Sequence, residues 1–152
     1  MAIQIQEADR KDLEKLVTWR MEVLHEVFPA SEYSFPEDLE AENRAYYKEA
    51  LPAGRHIACF ADIDGETVGC GGLCLHQEMP SPDNPTGQCA YLMNIYCRSA
   101  YRNQGVGKAI VQWLIDQAKE RQITKIYLET SEDGRKLYKK LGFSDMKDMM
   151  IL

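Results

Sequence analysis

The chain lacks any run of about 18 apolar residues, so no segment is built to cross a bilayer as a helix, and no secretory pattern follows Met1. A cytoplasmic protein with no membrane partner is expected. Cys-x-x-Cys spacing is missing as well: Cys59, Cys70, Cys74, Cys89 and Cys97 are an odd set in or beside apolar runs, which reads as reduced core thiols rather than a disulfide framework. Cys70, Cys74 and His76 share one face of one strand, but no second ligand pair follows them, so no metal is expected. Positive charge is in deficit, with 18 Lys and Arg against 24 Asp and Glu for a net charge of -6, which argues against nucleic acid as a partner and favours a cationic or neutral one. Two phosphate-binding signatures fail. A P-loop would need glycine at Arg102 and serine or threonine at Ala109, and a dinucleotide fingerprint starting at Gly105 would need glycine or alanine at Ile110. There is also no internal repeat and no linker. With 152 residues and 45% hydrophobic content, the expectation is a single domain over residues 1–152 that buries its core without disulfides or metal.

What is present is an apolar strand, 91–97, running through a basic, glycine-bearing turn into an amphipathic helix. The turn reads Arg102-Asn103-Gln104-Gly105-Val106-Gly107-Lys108. Gly105 and Gly107 permit backbone conformations that a side chain forbids, and the helix behind them points unpaired N–H groups and the positive end of its dipole at the turn. An anion is well satisfied there, and Arg102 adds a guanidinium fork suited to a diphosphate. The plain alternative for these residues is an ordinary strand-to-helix connection.

Periodicity and turn chemistry give the rest of the order. Ile3-Gln4-Ile5 alternates as a strand, and Asp9 caps a helix with Leu13, Leu16, Val17, Leu24, Val27 and Phe28 on its inner stripe. A second helix is predicted from Pro36 or Glu37 to about Leu51. The segments 56–61 and 68–75 form a hairpin about Asp64-Gly65, and the proline-rich stretch 80–87 is predicted to be a mobile loop. After strand 91–97 come a helix over 108–121 with Ile110, Trp113, Leu114 and Ala118 inward, a parallel strand over 125–130 and a helix over 132–141. The Met-rich tail, 146–152, is predicted to form one or two short strands.

Arg102-x-x-Gly105-x-Gly107 after a strand resembles the coenzyme A pyrophosphate turn of the GNAT superfamily of N-acetyltransferases. The segment Ser131–Phe143 is similar to that family's last helix, with Tyr138 four residues before the Gly142-Phe143 pair. Together the two motifs extend the resemblance over about residues 56–152. It implies an α/β fold: a mixed, mostly antiparallel sheet splayed between two parallel central strands, with helices on both faces. It also implies acetyl-coenzyme A as co-substrate, held by residues 102–108, by Ser131 and by backbone of Ile95, Tyr96 and Cys97. Tyr138 is then the acid that protonates the leaving thiolate, its alternative being a core aromatic beside Leu137 and Leu141. Asn94 orients the acceptor or a water, or else makes a local bulge hydrogen bond. Glu129 is a candidate base, or an exposed charge at a strand end. The sequence departs from the family pattern at Ser99, Asn103, Ser131 and Gly134. The implied activity is direct acetyl transfer to a primary amine of a small or amino-acid-like acceptor, in a monomer or homodimer; a non-catalytic acyl-coenzyme A binding module of the same fold is the other reading. The acceptor's walls are expected between Phe28 and Tyr47, where Glu32, Tyr33, Glu40, Glu42, Tyr46 and Tyr47 lie, and in the loop 80–87.

Overall fold

A computed structural model describes residues 2–152. The elements are β1 (Ile3–Ala8), α1 (Leu13–Val27), α2 (Leu39–Ala50), β2 (His56–Ile63), β3 (Glu66–Gln77), β4 (Gln88–Cys97), α3 (Val106–Glu120), β5 (Lys125–Leu128) and α4 (Glu132–Lys140). Among the described residues five strands form one sheet in the order β1-β2-β3-β4-β5, antiparallel throughout except for the parallel pair β4 and β5. This is the predicted α/β arrangement. No helix among the described residues is long and apolar enough to cross a membrane.

Local chemistry sets the boundaries. Asp9 accepts a hydrogen bond from the Lys11 amide at 2.8 Å while Asp12 accepts one from the Asp9 amide at 3.0 Å, a reciprocal cap that starts the turn leading into α1. The β2–β3 hairpin turns through Asp64 and Gly65, with φ of 51° and 81°, the pair of positive values that a two-residue loop needs to match strand twist. The sheet then divides the core. On one face α3 lays Val106, Ile110, Val111 and Leu114 over Cys59, Ala61, Leu73 and Leu92; on the other, α1 lays Leu16, Val17, Trp19 and Val23 over Ala58, Phe60 and Cys70. Contact on the α3 side is close, since a Cβ on Gly71 would lie 2.4 Å from Ile110 Cγ2.

Three expectations are corrected. Val27 and Phe28 are 59% and 38% exposed, because the end of α1 lies outside both core clusters, where His25 stacks on Phe35 at 4.3 Å and Phe28 packs edge-on against Tyr33 at 4.9 Å. The tail forms no strand: residues 146–152 pair with nothing, and Met150 and Ile151 are almost wholly exposed, so β5 is the edge of the sheet among the described residues. The proline-rich loop is pinned rather than loose. Ser81 and Asn84 exchange backbone hydrogen bonds at 3.0 and 3.1 Å, the buried Asn84 side chain donates to the Gln88 carbonyl at 3.1 Å, and Lys125 reaches both oxygens of Glu78 at 2.9 Å.

Candidate active site

The ladder between β4 and β5 ends at the pair Leu92 and Leu128, short of the predicted strand end at Thr130, and from Met93 onward β4 has no partner on its β5 side among the described residues. On its other side β4 stays bonded to β3, but with an interruption. Cys70 faces Tyr96 and Gly72 faces Met93, so Gly71 alone opposes Asn94 and Ile95. This is a β-bulge, and Asn94 takes φ of 60°, a left-handed conformation that asparagine tolerates better than most residues. The chain therefore presents a strand edge over 95–97 with no β5 partner among the described residues, where the two parallel strands diverge; the Cys97 carbonyl on it is taken by Arg102, and the groups left open attract a hydrogen-bonding ligand. Ile95 packs toward the α3 core, and Tyr96 packs edge-on against Trp19 at 6.2 Å. Burial pushes the half-buried Cys97 thiol above its usual pKa.

Past β4 comes the glycine turn. Gly105 is the cap of α3 with φ of 88° and ψ of 6°, and Asn103 also has positive φ, at 62°. Gly107 does not, contrary to expectation: it lies inside the first turn of α3, where its lack of a side chain matters for spacing, a Cβ there lying 3.4 Å from Leu137 of α4. The Ala109 amide bonds back to the Gly105 carbonyl at 3.0 Å, and the amides of Val106, Gly107 and Lys108 precede it without a helical acceptor. Val106 contributes only backbone, its side chain being 1% exposed. Gln104 donates to the Ala100 carbonyl at 3.4 Å. Arg102 is engaged elsewhere: it pairs with Glu26 of α1 and donates to the Cys97 carbonyl at 3.0 Å.

Tyr138 sits half-buried on α4, packed edge-on against Phe143 at 5.8 Å and close to Gly134. Its hydroxyl makes no hydrogen bond to any described residue, and burial pushes its pKa above the usual phenol value, so the proton stays on at neutral pH. Ser131 caps α4, accepting from the Gly134 amide at 3.4 Å. Glu129 is exposed, one residue beyond the last β4–β5 pair. The Tyr91 phenol is pushed up to about 12 by burial and by the neighbouring Glu129 carboxylate.

Sequence reasoning missed the group over the bulge on the α1 side. Arg20 of α1 donates through Nη1 to Asn94 Oδ1 at 3.0 Å and through Nε to Asn43 Oδ1 at 3.1 Å. Asn94 is thus turned toward Arg20. Beside it, the Tyr46 hydroxyl lies 2.8 Å from His56 Nδ1 and 3.3 Å from Cys74 Sγ. A signal existed: Leu16, Arg20 and Leu24 are spaced at i, i+4 and i+8, so a charge stands on the stripe that faces the sheet. Further along α1, Glu22 takes both donors of Arg98 at 2.9 and 3.0 Å, and that guanidinium lies over the Trp19 ring at 4.2 Å. A separate cavity of 410 Å³, lined in part by Asp9, Arg10, Pro52, His56 and Arg121, opens at the start of β2. It lies at the end of the sheet away from the glycine turn.

Comparison with known proteins bears on the family and the fold. The profile of the Acetyltransferase (GNAT) family matches residues 15–143. An uncharacterized N-acetyltransferase of Escherichia coli (strain K12), YjgM, is 30% identical over 91 residues, covering 58% of this chain and 51% of that protein; the chain thus matches about half the length of this curated relative. A predicted acetyltransferase from Clostridium acetobutylicum, crystallised with acetyl-CoA, superposes with a TM-score of 0.87 at 26% identity over 99% of this chain and 96% of its own. A GCN5-related N-acetyltransferase from Ralstonia eutropha JMP134 shares the fold, with a TM-score of 0.81 at 21% identity over 99% and 98% of the two chains.

Proposed function

The chain belongs to the Acetyltransferase (GNAT) family, and from that premise we propose that it is a cytoplasmic enzyme moving an acetyl group from acetyl-coenzyme A to a primary amine of a small or amino-acid-like acceptor by direct transfer. One observation carries the reading: β4 and β5 part after Leu92 and Leu128, leaving an open backbone edge that leads to a turn of three unfilled amides. The edge suits the amide-bearing pantetheine arm. The amides of Val106, Gly107 and Lys108 suit the pyrophosphate, with Lys108 exposed beside them and Arg102 free to join by exchanging Glu26 for phosphate.

In the reaction the neutral amine attacks the thioester carbonyl, a C–N bond forms and the C–S bond breaks. Backbone donors on the edge over 95–97 polarise the carbonyl, since an amide held in place by the strand needs no reorganisation as charge develops on the oxygen. The thiolate takes its proton from Tyr138, whose hydroxyl has no competing partner. The proton lost by the amine passes to solvent at the mouth, where Glu129 stands.

The test is Tyr138→Phe, which keeps the ring packed on Phe143 and removes only the donor. Acetyl-coenzyme A should still raise the melting temperature of the variant, while kcat falls about 100-fold or more, the scale for loss of a general acid. Undiminished kcat would remove Tyr138 from the mechanism, and no thermal shift of the unaltered protein at millimolar coenzyme A would remove the glycine turn.

A further inference from the structure

Arg20 is placed unlike the other arginines of this chain. Arg44, Arg55, Arg98, Arg102 and Arg135 each pair with a carboxylate, while Arg10 and Arg121 are exposed. Arg20 is half-buried and has no carboxylate within salt-bridge distance among the described residues. Its guanidinium is held instead by two neutral amide oxygens, Asn43 Oδ1 at 3.1 Å and Asn94 Oδ1 at 3.0 Å. Asn43 is itself oriented, because its amide nitrogen donates to the Leu39 carbonyl at 2.9 Å. Neutral acceptors fix the direction of the fork without cancelling its charge. The remaining N–H groups are left for a further acceptor, and a half-desolvated cation without a counter-charge gains most from an anionic one.

Its position names the occupant. Asn94 is the bulge residue of β4, next to the open edge at 95–97, so the cation stands beside the place where the acetyl group would be presented. We infer that Arg20 receives the carboxylate of the acceptor, and that the substrate class is therefore amino carboxylic acids; this rests on the acetyl-transfer reading above. In an α-amino acid the nitrogen lies two bonds, about 2.5 Å, from the carboxylate carbon. Seating the carboxylate on Arg20 thus holds the amine beside the bulge, as direct attack requires. The side group of the amino acid faces the tyrosine side of the sheet, where Tyr46 closes on Cys74, and Tyr91 packs on Tyr127 with centroids 4.9 Å apart.

The experiment pairs α-amino acids with their own carboxamides as acceptors, using unaltered protein and Arg20→Gln. The carboxamide's amine is the less basic and the more often neutral, so a preference for the acid reports recognition rather than reactivity. With unaltered protein the acid should be used at least about 10-fold better in kcat/KM. Arg20→Gln should cost the acid about 10- to 100-fold, chiefly in KM, and the amide about 3-fold or less, with the coenzyme A thermal shift retained. Amides used as well as acids, or equal losses for both in the variant, overturn the inference. If coenzyme A binds but no pair is acetylated, the transfer reading fails by itself. Calorimetric titration of the coenzyme-saturated protein with the same pairs then decides the carboxylate: acid binding lost in Arg20→Gln supports it, and equal binding of acid and amide overturns it. Should Arg20→Gln not fold, Arg20→Lys keeps the charge without the fork and should show an intermediate acid-to-amide ratio; an unchanged ratio overturns recognition by the fork.

Discussion

His56 should make this protein acid-sensitive in a pH range that its carboxylates do not reach. The ring is 6% exposed, Tyr46 occupies Nδ1 at 2.8 Å, and Nε2 has no hydrogen-bond partner among the described residues. Protonation puts an N–H on both nitrogens, one of them with no acceptor, in a site that also feels the Arg20 guanidinium. Burial first, and that cation second, bring the His56 pKa down from 6.5 to about 4. Because the folded value lies below the unfolded one, the unfolded chain takes up the proton first. Stability is then complete above pH 6.5, falls as pH drops toward 4 and levels off below it. At about 1.4 kcal/mol per pH unit the whole step amounts to about 3 kcal/mol, a large share of a typical stability. Urea unfolding between pH 7.5 and 4.5, compared with His56→Asn, tests this. Asparagine keeps an acceptor for Tyr46 but cannot be protonated, so the variant should be less stable at pH 7.5 from lost packing while losing much less on acidification. Parallel pH curves for the two proteins would refute the reasoning.

Gly105→Val has room for its side chain, the nearest atom to a Cβ being Ile3 Cδ1 at 3.9 Å, but φ of 88° costs about 1–3 kcal/mol for a β-branched residue. It should fold and lose the coenzyme A thermal shift; a normal shift would mean the turn is misassigned. Gly71→Ala forces a Cβ to 2.4 Å from Ile110 Cγ2 and should lower stability by about 1–3 kcal/mol, a drop of several degrees in Tm, whereas an unchanged melting curve would contradict the close packing of α3 on β3. The Arg98 hydrogen bonds hold the Glu22 carboxyl below its usual range, so its stabilisation is present above pH 4.5 and is lost as pH falls through the lowered value. The pair is partly exposed and worth about 1 kcal/mol or less, so Glu22→Gln should show a small loss at pH 7 and a shallower acid limb below pH 4.5 in the same urea assay.

Features encoded by neighbours in the chain were legible in advance. The Asp64-Gly65 hairpin, the Asp9 cap, the inner stripe of α3 and the glycine turn each depend on residues a few positions apart. What escaped depends on distant partners. Arg20 and Asn94 are 74 residues apart, and nothing local to either shows that α1 crosses the bulge. Arg102 was read from its own turn as a diphosphate ligand, yet its partner Glu26 lies 76 residues earlier. The tail misled for a similar reason. An apolar run predicts a strand only if an edge receives it, and residues 146–152 have no such pairing. Gly107 shows the converse error, since glycine there serves proximity to Leu137 rather than an unusual φ.

The bulge at Asn94 joins these observations into one device. A regular β4 would keep its alternation from Gln88 to Cys97, but the extra residue shifts the far half of the strand by one position relative to β3. Tyr96 can therefore share the α1 face with Tyr91 despite the odd separation between them, joining Trp19 as Tyr91 joins Tyr127. The same insertion sits two residues past the last pair with β5, where a bent strand separates more readily from its neighbour. It also aims the Asn94 amide oxygen at Arg20. One inserted residue thus lies at the start of the open edge proposed for the acetyl donor and at the cation proposed for the acceptor. Separating the two sites would require moving the bulge, and with it the register of the strand that carries them.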